Sequence, residues 1–323
     1  MPVPWRWSRL PRAQAPTSSN FSRFRADKLA TAVAAKVSYQ LVTKGSGQSQ
    51  LEMLRALELS EDDERRIAEA CSAAKVTFMS TPFDADSAMY LVKNIGVSTL
   101  KVGSGDLTNA PVLLHMARFR LPIILSTGMA TLAEVERALG VIASGYLREL
   151  TAHPTIADFS DTLLDREAWV ELHGKVTLLH CTTEYPAAPH SINLRAMSTL
   201  RSAFGLPVGF SDQKHLSLDR SLPGPDHRAS IEPNELAEMI APIRDVELAL
   251  GDGRKMPAAE EVASRPVARR SLVATKPVRS GERFSETNLG VTRPRHGIPP
   301  VEYWAYPGKK ANRDYAANEA LEP

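Results

Sequence analysis

Residues 101–129 read KVGSGDLTNAPVLLHMARFRLPIILSTGM, and the rest of the chain can be interpreted outward from this stretch. It contains two apolar runs, the first followed by Gly103, Ser104 and Gly105 and the second by residues 126–128, Ser-Thr-Gly. A hydroxyl group beside a glycine with an accessible backbone N–H suits an oxyanion such as phosphate. The stretch therefore predicts strand, helix and strand, with a shared anion site where the two strands end. Ordinary turns are the alternative for either end alone.

The same pattern of an apolar strand with a polar carboxyl end recurs along the chain. Strands are predicted at residues 76–79, 97–102, 122–125, 176–179 and 207–210, with helices between them at 60–74, 84–94, 131–143, 161–173 and 194–204. This alternation predicts a parallel α/β sheet, and polar strand ends on one face are typical of a TIM-type (β/α)8 barrel. A doubly wound sheet would alternate similarly, but no G-x-G-x-x-G motif follows a strand.

Composition divides the chain into segments. Residues 1–26 contain arginines and prolines but no acidic residue, and residues 1–20 are expected to be unstructured. Residues 21–255 are expected to form the barrel, with a last helix over 233–250 and a linker at 255–266. Residues 267–323, with short β-like runs at 271–274 and 289–292, predict a small, mostly β module.

The totals exclude several classes of protein. A net charge of +2 does not favour nucleic acid or an acidic membrane surface as a partner. Two cysteines, Cys71 and Cys181, imply neither a disulfide framework nor a zinc site, and a reducing cytoplasm is expected. No apolar run approaches the ~20 residues that span a bilayer.

Six ordered motifs make a family resemblance visible. They are residues 80–83 (STPF), 101–106 (KVGSGD), 125–129 (LSTGM), 180–186 (HCTTEYP), 209–212 (GFSD) and 222–227 (LPGPDH). In this order they resemble the N-acetylneuraminate (sialic acid) synthases. Residues 293–294 (RP) and 308–314 (GKKANRD) resemble the antifreeze-like (SAF) domain of those enzymes. The resemblance extends from residue 21 to the C-terminus.

The resemblance implies an activity and a set of partners. Such synthases condense phosphoenolpyruvate with N-acetylmannosamine or a related hexosamine to a nine-carbon 2-keto acid, releasing phosphate. A bound divalent metal, Mn²⁺ or Mg²⁺, polarises the sugar aldehyde. The antifreeze-like domain of one subunit reaches the barrel of the other, so a domain-swapped homodimer is implied, with no nucleic acid or membrane partner.

The resemblance also implies roles for individual residues. The residues implied to bind phosphoenolpyruvate are Thr81, Lys101, Ser104, Ser126 and Ser211, those implied to bind the sugar are Tyr185, Asp226 and Arg293, and the implied metal ligand is His215. Lys101, Tyr185 and Asp226 are the candidate catalytic residues. Lys101 would supply charge to phosphoenolpyruvate, Tyr185 would line the substrate pocket and Asp226 would close it.

The chain departs from the family pattern at three places. The first strand of the family, with its Glu and Asn-His pair, has no counterpart before Phe21. Residues 20–24 (NFSRF) lack the Lys and Gln of the second strand. Residues 211–215 (SDQKH) join two motifs that a helix and the last strand normally separate, which leaves Gln213 where the family has a His or Glu. Without these strands a barrel cannot close, so we expect an open sheet, partly covered by residues 1–40, and impaired activity.

Several alternatives to an active synthase remain at this point. A non-catalytic relative could bind a sugar or phosphate and pair with a full-length synthase. Another barrel enzyme, such as an aldolase, would have no reason to carry the module that contains Arg293. A gene-model fault could also have removed the absent segments. The hexosamine, and whether it carries a 6-phosphate, are left open.

Overall fold

The computed structural model describes residues 16–31, 49–148, 154–183, 187–212, 215–222, 227, 230–293 and 297–322. The chain divides into two compact units, Met1–Leu248 and Ala249–Pro323. No helix among the described residues is both long enough and apolar enough to cross a bilayer.

Parallel strands form the centre of the first unit. They are β1 (Ser18–Arg23), β2 (Thr77–Pro82), β3 (Leu100–Val102), β4 (Ile123–Ser126), β5 (Val176–Cys181) and β6 (Val208–Ser211). β1 pairs with β2, and β3 to β6 form one four-stranded sheet in chain order. β2 lies beside β3, so the six strands follow one another in sequence order. Consecutive strands are neighbours in a (β/α)8 barrel, whereas a doubly wound sheet reverses its order, so the barrel prediction is confirmed.

The barrel is incomplete within the described residues. An eight-stranded barrel has no edges, but no described strand pairs with the outer edge of β1 or of β6. The chain after β6 contributes an isolated parallel bridge between Leu216 and Ile231. β1 begins at Ser18 because residues 18–23 pair with β2, so the expected unstructured segment is wrong for residues 18–20.

Helices alternate with these strands. They are α1 (Ala26–Leu29), α2 (Gln50–Arg55), α3 (Glu61–Ala73), α4 (Ala85–Tyr90), α5 (Ala110–Ala117), α6 (Leu132–Leu147), α7 (Ile156–Thr162), α8 (Arg166–Lys175), α9 (Pro189–Ile192), α10 (Ala196–Phe204), α11 (Pro233–Leu250) and α12 (Ala259–Ala268). A π-helical turn, Leu91–Ile95, extends α4, and a 3-10 turn, Ser104–Asp106, follows β3. Ser60 caps α3, and Thr131 with Glu134 forms a capping box on α6, as the sequence predicted.

Two predicted segments differ from the structure. The helix predicted over 161–173 is two helices, because Thr155 and Asp158 form a capping box that starts α7 earlier. The linker predicted over 255–266 is largely α12, whose N-terminus is held by a hydrogen bond from Ala258 N to Glu261 Oε2 at 2.9 Å. A glutamate at the third helical position satisfies a backbone donor that would otherwise lack a partner.

The core of the first unit lies between the sheet and the helices. Leu100 and Val102 of β3 are buried in this core, together with Ile123 and Leu125 of β4. Successive side chains of a strand point to opposite faces, so Lys101 lies on the face away from these residues. The packing of the apolar face thus directs Lys101 toward the other side of the sheet.

The second unit is small and mostly β. Its strands β7 (Ser271–Ala274) and β8 (Leu289–Thr292) match the two runs predicted from sequence and pair antiparallel. Bridges between Val278 and Tyr315 and between Arg283 and Lys310 extend the pairing. A separate core forms around Leu272, Phe284, Leu289, Ile298 and Tyr315.

Candidate functional site

The polar residues predicted from the strand ends lie at one edge of the sheet. Ser126 ends β4, Cys181 ends β5 and Ser211 ends β6, and the parallel register places Cys181 directly opposite Ser211. Thr81 lies one residue before the end of β2. Because parallel strands share a direction, their carboxyl ends meet at the same edge, which is where a barrel carries its active site.

The turn after β3 brings a serine across two neighbouring strands. Ser104 Oγ accepts a hydrogen bond from the backbone N of Gly128 at 3.1 Å and lies 3.2 Å from Cys181 Sγ. A Cβ atom added to Gly128 would lie 2.7 Å from both Ser104 Oγ and Thr183 Oγ1, so the absence of a side chain permits this close approach. We call Lys101, Ser104, Gly128, Cys181 and Thr183 the strand-end cluster.

Lys101 supplies the positive charge of the strand-end cluster. Burial lowers the pKa of Lys101 from its usual 10.5, because the charged ammonium group loses hydration. Among the residues that the structure describes, no carboxylate lies within ion-pair distance of Lys101. A half-buried ammonium group without a carboxylate partner favours binding of an anion, which would offset its loss of hydration.

Thr81 is held by a residue that the sequence did not indicate as part of the site. Asn20 Nδ2 donates to Thr81 Oγ1 at 3.2 Å, and the Thr81 hydroxyl lies 3.3 Å from Asn20 Oδ1. Thr81 is buried, and its Cγ2 would lie 3.8 Å from a Cβ atom on Gly103, which directly precedes Ser104. Thr81 is therefore adjacent to the turn that carries Ser104.

For the other predicted site residues, the structure gives a position in the chain and a degree of burial. Ser126 is buried and Ser211 half-buried at their strand ends. Arg293 follows β8 in the second unit and is exposed. Tyr185 and Asp226 lie outside the described residues, so their predicted roles remain predictions.

The described residues do not fit the expected metal site. His215 is exposed, and its backbone oxygen accepts a hydrogen bond from Ile231 N at 2.8 Å. Within the described ranges, no three His, Cys, Asp or Glu side chains are grouped so that they could hold a metal ion. A divalent cation needs several such ligands, so His215 does not form a site with the donors described.

Two further residues of the edge were missed by reasoning from sequence. Cys181 was noted in a motif but given no role, and its contact with Ser104 joins residues 77 positions apart. Asp106 lies in the turn after β3, where burial raises its pKa while a hydrogen bond from Asn109 Nδ2 at 3.0 Å opposes that shift. The position of Asp106 two residues after Ser104 was the available signal.

Comparisons with known proteins identify the family of both units. The model of the NeuB family matches residues 19–214 and 213–255, and that of the SAF domain matches residues 269–323. The two NeuB segments meet at residues 213–214, where the sequence suggested a missing helix and strand.

Curated relatives cover nearly the whole chain. N,N'-diacetyllegionaminic acid synthase of Campylobacter jejuni is 36% identical over 321 residues, spanning 93% of this chain and 88% of the relative. The enzyme of the same name from Legionella pneumophila is 37% identical over 320 residues, spanning 93% and 83%. Among solved structures, the N-acetylneuraminic acid synthetase of Leptospira borgpetersenii in complex with citrate matches with a TM-score of 0.57 and 25% identity, covering 78% of this chain and 81% of that one. The incomplete parallel barrel, the polar strand ends and these matches together show that the chain belongs to the NeuB family of synthases and carries a C-terminal SAF domain.

Proposed function

We propose that this chain condenses phosphoenolpyruvate with an N-acylated hexosamine to a nine-carbon 2-keto sugar acid and releases phosphate. The observation that carries the proposal is the strand-end cluster. Half-buried Lys101, which has no described carboxylate partner, lies in the strand that leads into the Ser104 turn, and Ser104 Oγ accepts the Gly128 N–H. The two curated relatives named above are N,N'-diacetyllegionaminic acid synthases, which supports a sugar acid as the product. The proposal leaves the acyl pattern of the hexosamine and its phosphorylation open.

Different residues are proposed to bind each of the two substrates. Hydroxyl groups that would bind the phosphate are those of Thr81, Ser104, Ser126 and Ser211. Lys101 would neutralise the anionic phosphoenolpyruvate, since a cation in a half-buried site attracts an anion more strongly than it would in water. The C2–C3 π electrons of phosphoenolpyruvate form the new bond from carbon 3 to the sugar aldehyde carbon, whose oxygen takes up a proton and becomes a hydroxyl group. Water adds at carbon 2 and gives up its protons, and the bond from carbon 2 to the phosphate oxygen breaks, which leaves a ketone and inorganic phosphate.

The sugar end is assigned to residues from other segments. We propose that Tyr185 lines the sugar pocket, that Asp226 closes it, and that Arg293 holds the sugar across a domain-swapped homodimer. We also propose dependence on Mn²⁺ or Mg²⁺, for which His215 would need ligands other than the described side chains. Both cysteines are free thiols, and the cytoplasm is the compartment we propose.

The direct test is phosphate release from phosphoenolpyruvate by the purified chain, with N-acetylmannosamine or an N,N'-diacetylated hexosamine, with and without Mn²⁺. Hexosamine-dependent release is expected. Lys101→Met should weaken phosphoenolpyruvate binding about 10- to 100-fold, the factor expected for losing one hydrogen bond to a charged group. Lys93→Met removes an exposed lysine from the π-helical turn and serves as the matched control. Unchanged binding in Lys101→Met would refute the assignment of Lys101.

A second function is favoured by the incomplete barrel. The described strands leave the edges of β1 and β6 without partners, and the described side chains form no three-residue metal group. The chain would then be a non-catalytic relative that binds phosphoenolpyruvate or sugar and pairs with a full-length synthase. Calorimetry together with the phosphate-release assay separates the two functions. Ligand binding without phosphate release by this chain, with release by a variant in which the missing helix and strand are restored, would support the binding role.

A further inference from the structure

Within the strand-end cluster, the thiol of Cys181 contacts the Ser104 hydroxyl, and the function proposed above gives Cys181 no role. Its Sγ lies 3.2 Å from Ser104 Oγ, and the residue is 4% exposed. The Ser104 oxygen also accepts the Gly128 N–H at 3.1 Å. Two neighbours from two different strand ends therefore fix the position of the Ser104 hydroxyl.

The hydrogen-bonding capacity of a serine hydroxyl limits what this contact can be. A hydroxyl has one donor hydrogen and two acceptor lone pairs. The Gly128 N–H occupies one lone pair of Ser104. If Ser104 donates to the sulfur, no hydrogen remains for a ligand. The thiol has one hydrogen and a second possible acceptor, Leu179 O at 3.8 Å. That oxygen already accepts from the backbone N and the Oγ1 of Thr127, both at 2.9 Å, so Ser104 Oγ at 3.2 Å is the better acceptor. If the Cys181 S–H occupies the second lone pair of Ser104, the Ser104 hydrogen is free to point toward an anion.

We propose that Cys181 is a positioning residue of the anion site: its S–H donates to Ser104 Oγ and thereby leaves the Ser104 O–H to bind a phosphate oxygen. The inference rests on the proposed function only in identifying the physiological anion as phosphoenolpyruvate. Inorganic phosphate contains the same oxygens and is a sufficient probe of the arrangement.

Cys181 also lines a cavity of the first unit. Besides its contact with Ser104, it borders a cavity of about 580 Å³ that is also lined by Thr127, Thr183 and His180. Ser104 and Lys101 are not among the residues that line this cavity, so the contact with Ser104 and not the cavity carries the inference.

Substitutions separate positioning from packing. Calorimetry with inorganic phosphate should show Cys181→Ala weakening binding about 3- to 10-fold, as for the loss of one weak hydrogen bond, while Cys181→Ser, which keeps a donor, stays within about twofold. In a Ser104→Ala background, Cys181→Ala should have no further effect, since the thiol acts through that hydroxyl. Equal losses in Cys181→Ala and Cys181→Ser, or an undiminished loss without Ser104, would overturn the proposal.

Cys71 provides the matched control. It is the other cysteine of the chain, lies fully buried in α3, and has its pKa raised by burial. Cys71→Ala should bind phosphate as the unsubstituted chain does. A loss of phosphate affinity in Cys71→Ala as large as that in Cys181→Ala would overturn the proposal.

The outcomes distinguish this inference from the proposed function. Phosphate binding that depends on Cys181 as described, without turnover, would support the positioning role and contradict catalysis. Turnover with phosphate binding indifferent to Cys181 would overturn the inference alone. Failure of the unsubstituted chain to bind phosphate or phosphoenolpyruvate would overturn both.

Discussion

Gly128→Ala is the most informative single change in the strand-end cluster. The added Cβ would lie 2.7 Å from Ser104 Oγ and from Thr183 Oγ1, and 3.2 Å from Cys181 Sγ. Contacts under 3.0 Å are not tolerated by real Cβ atoms, so these groups must move. Gly128 has no positive φ, so its backbone accepts alanine and the effect arises from the crowded cluster.

The magnitude follows from the contacts that are lost. Displacing Ser104 breaks its bond with the Gly128 N–H and moves the hydroxyl away from the anion. A hydrogen bond to a charged group contributes about 1.5–3 kcal/mol, which corresponds to an affinity loss of about 10- to 100-fold. Overpacking should also lower the free energy of unfolding by about 1–3 kcal/mol.

The assay compares two glycines of the same region. Gly105→Ala lies one residue after Ser104, has no heavy atom within 4 Å of the added Cβ, and should bind phosphoenolpyruvate within about twofold of the unsubstituted chain. Isothermal calorimetry gives the two dissociation constants, and urea unfolding gives the stabilities. Equal affinities for Gly128→Ala and Gly105→Ala, with both variants folded, would refute the assignment of the anion site to this cluster.

Three further predictions concern charge and packing. Affinity for phosphoenolpyruvate should fall as the pH rises through the pKa of Lys101, which lies below 10.5, because a neutral amine attracts the anion less. Calorimetry from about pH 7 to about pH 10 measures this loss, and Lys101→Arg, which stays charged, should remove it. Glu64→Ala should lower the free energy of unfolding in urea by about 3–5 kcal/mol, because it removes a buried ion-pair partner of Arg23, which is 9% exposed. Among the described carboxylates Arg23 would then keep the more distant Glu61, at 3.4 Å. Recovery should follow in the Arg23→Met, Glu64→Leu double variant, and a persistent loss there would contradict the ion-pair explanation. Leu272→Ala should destabilise the second unit by about 2–5 kcal/mol in scanning calorimetry without changing phosphoenolpyruvate affinity, because Leu272 lies in the core of that unit and the strand-end cluster lies in the first unit. A matching loss of affinity would contradict the assignment of phosphoenolpyruvate to the strand-end cluster.

Local chemistry made much of the fold predictable from sequence. Ser60 and Thr131 begin helices as predicted, because a side-chain oxygen beside a free backbone N–H is a local interaction. The runs at 271–274 and 289–292 are strands with those bounds, since alternation and flanking turn residues act over a few positions. The predicted helix over 161–173 was wrong at its start, because the capping box of Thr155 and Asp158 begins α7 earlier. The predicted linker over 255–266 was wrong because Glu261 accepts a hydrogen bond from Ala258 N and so holds the N-terminus of α12.

The sequence by itself determined that short apolar strands end in hydroxyls and glycines, that Lys101 lies between two core residues of a strand, and that a small β module follows the barrel. Only the tertiary structure decided that the strands follow one another in chain order and that Ser104 meets Gly128, 24 positions away, and Cys181, 77 positions away. The physical reason is that such contacts depend on the register and packing of separate strands. No spacing along the chain encodes which hydroxyl, amide and thiol share one strand end.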